Sequence, residues 1–352
     1  MRPNFFHHLH PPSIPAAQSR WRYTLGAGGT AVFLMLILVV TGILELFYYI
    51  PTPENAALSI QTISYHVPFG GVIRNIHFWA SQLLLIVSAV HLIRVVFTGS
   101  YAPPRRFNYL LGLALFVLAI LLDFTGYVLR WDQGIQWALV VGTNLIKTLP
   151  FFGESLYIMV MGGTQPAAAT LIRFYAWHLF GLTITAVILM GWHAFRVRRD
   201  GGIALPPPAM RSDRDLAGKR GASRIPRSEL VRREVLAMTF SGAALILLAT
   251  FVPAPISAPI EKISATAADA SAPWFFLWVQ QLLKWGDPFL WGVAVPLILL
   301  IILALIPYIL PLPAPSELGR WFPSSNRLAQ IVLGIIALMI IILTLMTLFS
   351  GT

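Results

Sequence analysis

The sequence contains no cysteine. That excludes disulfides, thiolate zinc sites, iron–sulfur ligation and thioether-linked haem within this chain. Any redox chemistry it carries must use histidine or come from a partner. Charge is scarce too. Asp, Glu, Lys and Arg make up 11% of the residues, against roughly a quarter in an ordinary soluble domain, while 57% are hydrophobic. Such a chain is neither a soluble globule nor a disordered polymer. Acid is the scarcer sign, with 14 Asp and Glu against 25 Lys and Arg and a formal net charge of +11. A basic excess can serve nucleic acid. Here the bases fall in loops between long apolar runs, which is the pattern of membrane topology. The first apolar run, from near Leu25, is too long for a cleavable signal and reads as a membrane span.

A span needs about 20 mostly apolar residues. Seven runs qualify: A 25–50, B 76–97, C 108–129, D 174–195, E 234–253, F 287–310 and G 328–349. The expected fold is an all-α integral membrane protein with about seven transmembrane helices. Glu45 in A and Asp123 in C lie toward the same surface. The C–D connection holds Pro150, Gly153 and Gly162-Gly163, consistent with short surface helices. The D–E connection contains Pro206-Pro207-Pro208 and reads as a linker. The chain divides into 1–200, a basic linker 201–233, and 234–352. Pro296 and Pro307 are expected to kink F.

The positive-inside rule orients the bundle. Eleven Lys and Arg lie from Arg196 to Arg233, and Arg105 and Arg106 lie between B and C. The N-terminal tail adds Arg2, Arg20 and Arg22, whereas the A–B loop has no Lys or Arg before Arg74. Alternating spans put all three basic segments on one side. This places the N-terminus on the cytoplasmic (n) side, in a bacterial cytoplasmic membrane, and the C-terminus on the opposite (p) side. The D–E loop mixes its bases with Asp213, Asp215 and Glu229 and lacks aromatics to stack on bases, so no nucleic-acid partner is expected. His7, His8 and His10 read as part of an interfacial tail without metal. Trp131, Trp137, Trp274, Trp285 and Trp291, near span ends, read as interface anchors.

Span B carries His77 and His91, and span D carries His178 and His193. At about 1.5 Å per residue each pair is about 21 Å apart along its helix. At about 100° per residue, 14 steps return to within about 40° of the start and 15 to within about 60°. Both histidines of each pair therefore lie on one side of their helix. B and D run in the same direction, so His77 faces His178 near the p side and His91 faces His193 near the n side. A facing pair of imidazoles can supply both axial ligands of a haem iron. With no position left open, such a haem carries electrons and does not bind O₂. Four structural or proton-relay histidines are the alternative. Ionisable groups at membrane depth are costly and usually functional, which favours ligands. A di-zinc site would need more donors close together.

Gly28 and Gly42 in A are 14 apart, as are Gly112 and Gly126 in C. This is the histidine period, and glycine lets a flat macrocycle approach a helix backbone. Arg74 precedes His77 by three residues and Arg94 follows His91 by three. Each sits one turn outward of its histidine, placed to pair with a haem propionate. Snorkelling surface anchors are the competing reading.

These residues carry a family resemblance. The run Arg74…His77…Ala80-Ser81…His91…Arg94…Gly99-Ser100-Tyr101 resembles the second helix of cytochrome b. Phe124-Thr125-Gly126-Tyr127-Val128-Leu129-Arg130-Trp131-Asp132-Gln133 resembles the close of its third helix, and Thr170-Leu171-Ile172-Arg173-Phe174-Tyr175…His178 the start of its fourth. The fourteen residues between His178 and His193 are similar to cytochrome b6, and spans E–G resemble subunit IV of the b6-containing complex, here in one chain. The resemblance implies a four-helix di-haem bundle plus three C-terminal helices, as a subunit of a Rieske/cytochrome b quinol oxidoreductase. It implies two non-covalent b-type haems, with His77 and His178 on the p-side iron and His91 and His193 on the n-side iron. Its implied partners are a Rieske iron–sulfur protein, a c-type cytochrome or equivalent, the quinone pool and membrane lipid, in a homodimeric complex. Quinol would be oxidised between the C–D loop (Trp137 to Thr148) and the E–F loop. Quinone would be reduced near Arg22, Arg94, Arg198 and Arg199.

The chain departs from that family in two places. Where the b6 branch attaches an extra haem through a cysteine in span A, this chain has Gly26, so covalent attachment is excluded and a non-covalent third haem is left open. The family's Pro-Glu-Trp-Tyr motif, whose Glu is thought to take a proton from quinol, is here Ala272-Pro273-Trp274-Phe275. The carboxylate and the phenol are both gone. Asp132 and Asp269 are the foremost substitutes, ahead of Glu261 and His66, and with 272–275 they are the quinol-pocket candidates. The loss also keeps a second class open: a haem-b membrane anchor and electron conduit of another oxidoreductase, such as a molybdenum enzyme, without bifurcating quinol oxidation. A transporter or channel is a third class, and it predicts no haem.

Overall fold

The computed structural model describes residues 11–204, 224–260 and 272–349. The expectations for His7, His8, His10, Pro206-Pro207-Pro208, Glu261 and Asp269 fall outside the described residues. Eleven helices are used below, in chain order. They are α1 (Ala27–Leu46), α2 (Ala56–Tyr65), α3 (Gly70–Phe97), α4 (Arg106–Leu129), α5 (Gln136–Lys147) and α6 (Gly153–Met161). Then come α7 (Ala168–Arg199), α8 (Arg227–Phe251), α9 (Leu277–Leu283), α10 (Leu290–Ile309) and α11 (Ser324–Phe349). Of these, α1, α3, α4, α7, α8, α10 and α11 are long and apolar enough to cross a membrane, and they match spans A to G.

Three spans begin six or seven residues earlier than hydropathy places them: α3 at Gly70, α7 at Ala168 and α8 at Arg227. Each extra stretch carries polar side chains whose partners lie within the fold. In α8, Glu229 accepts from Arg232 at 2.9 Å and Arg233 at 2.8 Å, the i+3 and i+4 neighbours that support a helix. In α7, Arg173 donates to the carbonyls of Ile158 and Met159. In α3, Arg74 and Asn75 bond to backbone just beyond and within α8.

The bundle is built from two helix pairs. α1 packs along α3, and α4 packs along α7, with α3 also against α4. The remaining spans dock outside: α8 on α3 and α1, α10 on α4, and α11 on α3 and α9. Mid-bundle, Leu34 and Met35 meet Ala80, Leu84, Leu85, Ala119, Ala186 and Leu245. Ala80 and Ala186 are small enough to bring helices close, and among lipid tails close packing, not escape from water, holds helices together. Outer side chains such as Leu247, Phe251 and Ile341 are exposed, as a lipid-facing surface requires.

At the His77–His178 end, α5 and α6 fold over the bundle around Trp131, Ile135, Leu139, Tyr157, Met161, Leu171 and Phe174. Trp131 is 3% exposed, so it is a core residue of this cap and not the interface anchor its position near a span end suggests. At the His91–His193 end, Tyr109 donates to the Leu303 carbonyl at 2.8 Å and Tyr101 to Asn326 at 2.6 Å. Asn326 donates in turn to the Val96 carbonyl at 2.8 Å, stitching α3 and α4 to α10 and α11.

The all-α expectation holds apart from one small ribbon. β1 (Ser13–Pro15) pairs antiparallel with β2 (Arg224–Pro226). It ties the N-terminal tail to the entry of α8, and the Arg227 amide continues the tie to the Pro12 carbonyl at 2.9 Å. In α10, a π-turn at Leu290–Ala294 immediately precedes Pro296, whose nitrogen cannot donate back into it. Pro307 lies inside the same helix.

Candidate functional site

The four histidines form two facing pairs. The rings of His77 and His178 have centroids 6.4 Å apart, as do those of His91 and His193. A metal bonded to both rings, at about 2 Å from each nitrogen, would set the centroids about 6 Å apart, so each gap has the width of one six-coordinate metal. Among the described residues no group of three or more His, Cys, Asp or Glu is placed to hold a metal ion. Each pair therefore offers two protein donors, and the other four of an octahedral iron would come from a macrocycle. The donor set suits haem.

Three of the four remaining ring nitrogens are held by α1 and α4. His77 Nδ1 lies 2.8 Å from the Thr41 hydroxyl, and His178 Nδ1 lies 3.0 Å from Thr125. Thr41 donates to the Ile37 carbonyl at 2.7 Å and Thr125 to the Leu121 carbonyl at 2.9 Å. Each oxygen is thus free to accept from Nδ1–H, which leaves the Nε2 lone pair aimed across the gap. His193 Nδ1 donates to the Asn108 carbonyl at 3.1 Å. His91 Nδ1 has no partner among the described residues.

All four predicted glycines lie against these rings. A Cβ on Gly28 would sit 3.2 Å from His91 Cε1, and one on Gly42 would sit 3.2 Å from His77 Cε1. The corresponding distances are 3.1 Å for Gly112 and His193 and 2.9 Å for Gly126 and His178. The glycines make room for the imidazole edges, where sequence reasoning gave that room to the macrocycle.

The unequal spacings of the two histidine helices have a physical reason. Trp177–Leu182 in α7 form a π-turn, and His178 sits in it. A π-turn takes up about one residue more than an α-turn. The fifteen steps from His178 to His193 therefore cover nearly the rotation that fourteen cover from His77 to His91. Thr183 closes the turn by donating to the His178 carbonyl.

The two arginines differ. Arg74 is buried and donates to the carbonyls of Ala254 at 3.3 Å and Pro255 at 2.7 Å. Arg94 lies over the Tyr23 ring at 4.6 Å, and its Nε and Nη2 are buried without partners among the described residues. Those two donors are suited to an anionic group at the edge of a macrocycle. Arg94, Arg105 and Arg198 line a cavity of about 550 Å³ that reaches from His91 and His193 to Arg233 and Glu234. Burial pushes Tyr23 up from its ordinary phenol range, against the pull of the Arg94 charge, so the ring beside Arg94 is a neutral phenol.

Toward the His77–His178 end, Ala272-Pro273-Trp274-Phe275 leads into α9 and reaches the groove between α3 and α4. Trp274 Nε1 donates to Gln82 Oε1 at 2.6 Å, Phe275 packs on the mid-bundle cluster, and the Phe276 ring meets Phe124 at 5.8 Å. Gln82 Nε2 in turn donates to the Asp123 carboxylate at 3.0 and 3.2 Å. Asp132 accepts from Arg130 at 2.6 Å and from the Ser257 amide at 3.1 Å. With the Gln133 amide on the Ala258 carbonyl at 2.9 Å, it pins the C–D loop to the segment after α8. His66 lies on the exposed surface at the end of α2. Sequence reasoning missed Thr41, Thr125 and Gln82. A signal existed for the threonines, since Thr41-Gly42 and Thr125-Gly126 repeat one dipeptide.

The family model described as Cytochrome b/b6/petB matches residues 14–201. The chain belongs to the cytochrome b/b6 family. Cytochrome b6 of Heliomicrobium gestii is 40% identical over 174 residues, which are 49% of this chain and 82% of that one. The menaquinol:cytochrome c reductase cytochrome b subunit of Geobacillus thermodenitrificans is 33% identical over 195 residues, 55% of this chain and 87% of that one. A chain of the structure titled Hyperthermophilic respiratory Complex III superposes with a TM-score of 0.74 at 20% identity, covering 93% of this chain and 91% of that one. That likeness shows that the shared fold runs on through the last three spans. This cytochrome b is longer than b6 alone, as a fusion with a subunit-IV-like half would be. It is an integral, multi-pass membrane protein and an electron-transfer subunit of an oxidoreductase, and its family implies b-type haem and interaction with quinone.

Proposed function

We propose that this cytochrome b holds two non-covalent b-type haems, one between His77 and His178 and one between His91 and His193. It passes electrons across the membrane between quinol and quinone as a subunit of a Rieske/cytochrome b complex. The observation that carries this reading is the pair of 6.4 Å imidazole gaps, each with two donors and no third among the described residues. Bound haem supplies a one-electron carrier. The chain's own residues prepare for it. Thr41, Thr125 and the Asn108 carbonyl hold Nδ1–H, Gly28, Gly42, Gly112 and Gly126 admit the rings, and Arg94 offers open donors to a propionate. Arg74 steadies the p-side loop and has further donors for the p-side haem. The cavity beyond His91 and His193 supports quinone reduction at the n side, near Arg198.

The same reading takes 1–200 as the haem domain, 201–233 as a basic linker and 234–352 as the subunit-IV-like part. It places the N-terminus in the cytoplasm of a bacterial cell. A Rieske protein, a c-type cytochrome or equivalent and a second copy of the complex are its partners. The name of the Geobacillus relative, a menaquinol:cytochrome c reductase subunit, supports quinol as donor and cytochrome c as acceptor.

Haem extraction and spectral redox titration of the purified complex test the cofactor assignment. Two haems per chain are expected, with one spectral component lost in His178→Ala and the other in His193→Ala. One haem or none overturns the assignment, and three would add the non-covalent third. Electron bifurcation is tested by an oxidant pulse to membranes with quinol present and the n-side quinone site blocked. Transient reduction of the b haems is expected. Simple oxidation moves the function to a one-sided electron conduit.

A further inference from the structure

The segment 272–275 carries no proton acceptor, yet the structure brings a carboxylate to its side. Asp123 belongs to α4, one turn toward mid-membrane from Gly126, and is 8% exposed. Gln82 bridges it to Trp274, with one amide hydrogen-bonding face on each: Nε2 to Asp123 at 3.0 Å and Oε1 from Trp274 at 2.6 Å. Next door, Phe124 of α4 contacts Phe276 at 5.8 Å. Asp123 and the loop turn therefore line the same groove.

The surroundings of Asp123 are unusual for a structural acid. From α3 it is reached by Gln82, and Ser81 lies beside it. The Ser81 hydroxyl donates to the Phe78 carbonyl at 2.8 Å and accepts from Gln82 at 2.8 Å. The loop contributes the neutral indole of Trp274. No Lys, Arg or His forms an ion pair with Asp123 among the described residues. A carboxylate offers about four acceptor positions. Two neutral neighbours do not fill them, and no cation offsets a charge that is costly at membrane depth. Asp132, by contrast, is already paired with Arg130.

We infer that Asp123 is the proton-accepting carboxylate of the p-side quinol pocket, held in place by Gln82 beside Trp274. The inference rests on the quinol-oxidising reading above and deepens it. Quinol gives up two electrons and two protons on becoming quinone. The electrons pass singly to iron acceptors, the partner's iron–sulfur cluster and the p-side haem. One quinol O–H bond breaks and its proton forms the O–H of a neutral Asp123, while the second proton goes to p-side water. A group that must be ionised to accept makes the rate fall as pH drops and the carboxylate is already protonated.

The test uses the full complex in membranes, with the n-side quinone site blocked and haem content checked by spectrum. Quinol-driven haem reduction is followed against pH in wild type, Asp123→Asn and Asp123→Glu. Asp123→Asn is expected to slow the reaction on the order of 10²-fold and to flatten its low-pH limb. Asp123→Glu is expected to restore most of the rate and the limb. A purely structural tie between α3 and α4 would not alter the pH profile. Infrared difference spectra on adding quinol give an independent reading. Wild type should show the carbonyl band of a newly protonated carboxylic acid, and the band should move in Asp123→Glu. Unchanged rate and pH profile in Asp123→Asn, or a band that Asp123→Glu leaves in place, overturns the assignment to Asp123. Failure of wild type itself to reduce its haems with quinol overturns the parent reading instead.

Discussion

At the scale of single residues, the proposed haem sites rest on contacts with little slack. A methyl group on Gly126 would stand 2.9 Å from His178 Cε1, where the ring has no room to yield without leaving its partner across the gap. Gly29 has nothing within 4 Å of the same added atom. Gly126→Ala should lose the p-side haem signal, and Gly29→Ala should keep both, as read from the reduced-minus-oxidised spectrum. Thr41 acts at the next remove, holding His77 by Nδ1. Thr41→Val keeps the shape and removes the acceptor, so p-side haem affinity should fall about 10–100-fold in competition with apomyoglobin, with the n-side haem unaffected. The facing histidines and the glycines against them were legible in the sequence because spacing alone puts residues on one helix face. Thr41 and Thr125 were not, because spacing within one helix says nothing about which ring on another helix that face meets.

At the scale of elements, helix ends were the hardest to read. Hydropathy stops at the first charges, whereas α8 continues through Arg232 and Arg233 because Glu229 pairs with both. The π-turn around His178 was invisible for a related reason, since it shows in sequence only as one residue too many between two histidines. The start of α11 depends on Glu317, which accepts from Ser324 Oγ at 2.8 Å, the Ser325 amide at 2.9 Å and Ser325 Oγ at 2.5 Å. These bonds hold the Glu317 carboxyl down at about 2, below its ordinary 4.5. A depressed carboxyl stabilises the fold above its unfolded value and loses that contribution as pH falls through the folded one. Relative to the intrinsic rate at each pH, amide exchange at Ser325 should therefore be slow and flat above about pH 5 and rise toward pH 2. Glu317→Gln should raise it at neutral pH, with the difference from wild type vanishing in acid. Equal exchange at neutral pH would refute the cap.

At the scale of the whole molecule, the order of the spans, their alternation and the two histidine levels all followed from span length and residue spacing. The docking of the last three spans did not, because the apolar stretches of α8, α10 and α11 carry no stripe that marks the buried face. The structure supplies the ties: Asn75 to the Ala249 carbonyl and Ala254 amide at 2.9 Å each, Trp79 to the Val252 carbonyl at 2.7 Å, and Tyr109 to Leu303. All of these lie outside 205–223. A gene split within that stretch should yield two co-expressed pieces that copurify with the full haem spectrum. Pieces that separate in mild detergent would show that continuity of the chain, not docking, holds the halves together.

The arrangement of ligands and supports has a consequence for assembly. α1 backs both histidines of α3, and α4 backs both histidines of α7, so each hairpin brings one finished half of both metal sites. The apoprotein is then a clasp with two facing jaws, and whichever haem enters first sets the jaws at the spacing the other needs. Loading should be cooperative. In a haem titration of the apoprotein, half-filled molecules should be rarer than random filling allows, although the two sites lie on opposite sides of the membrane's midplane.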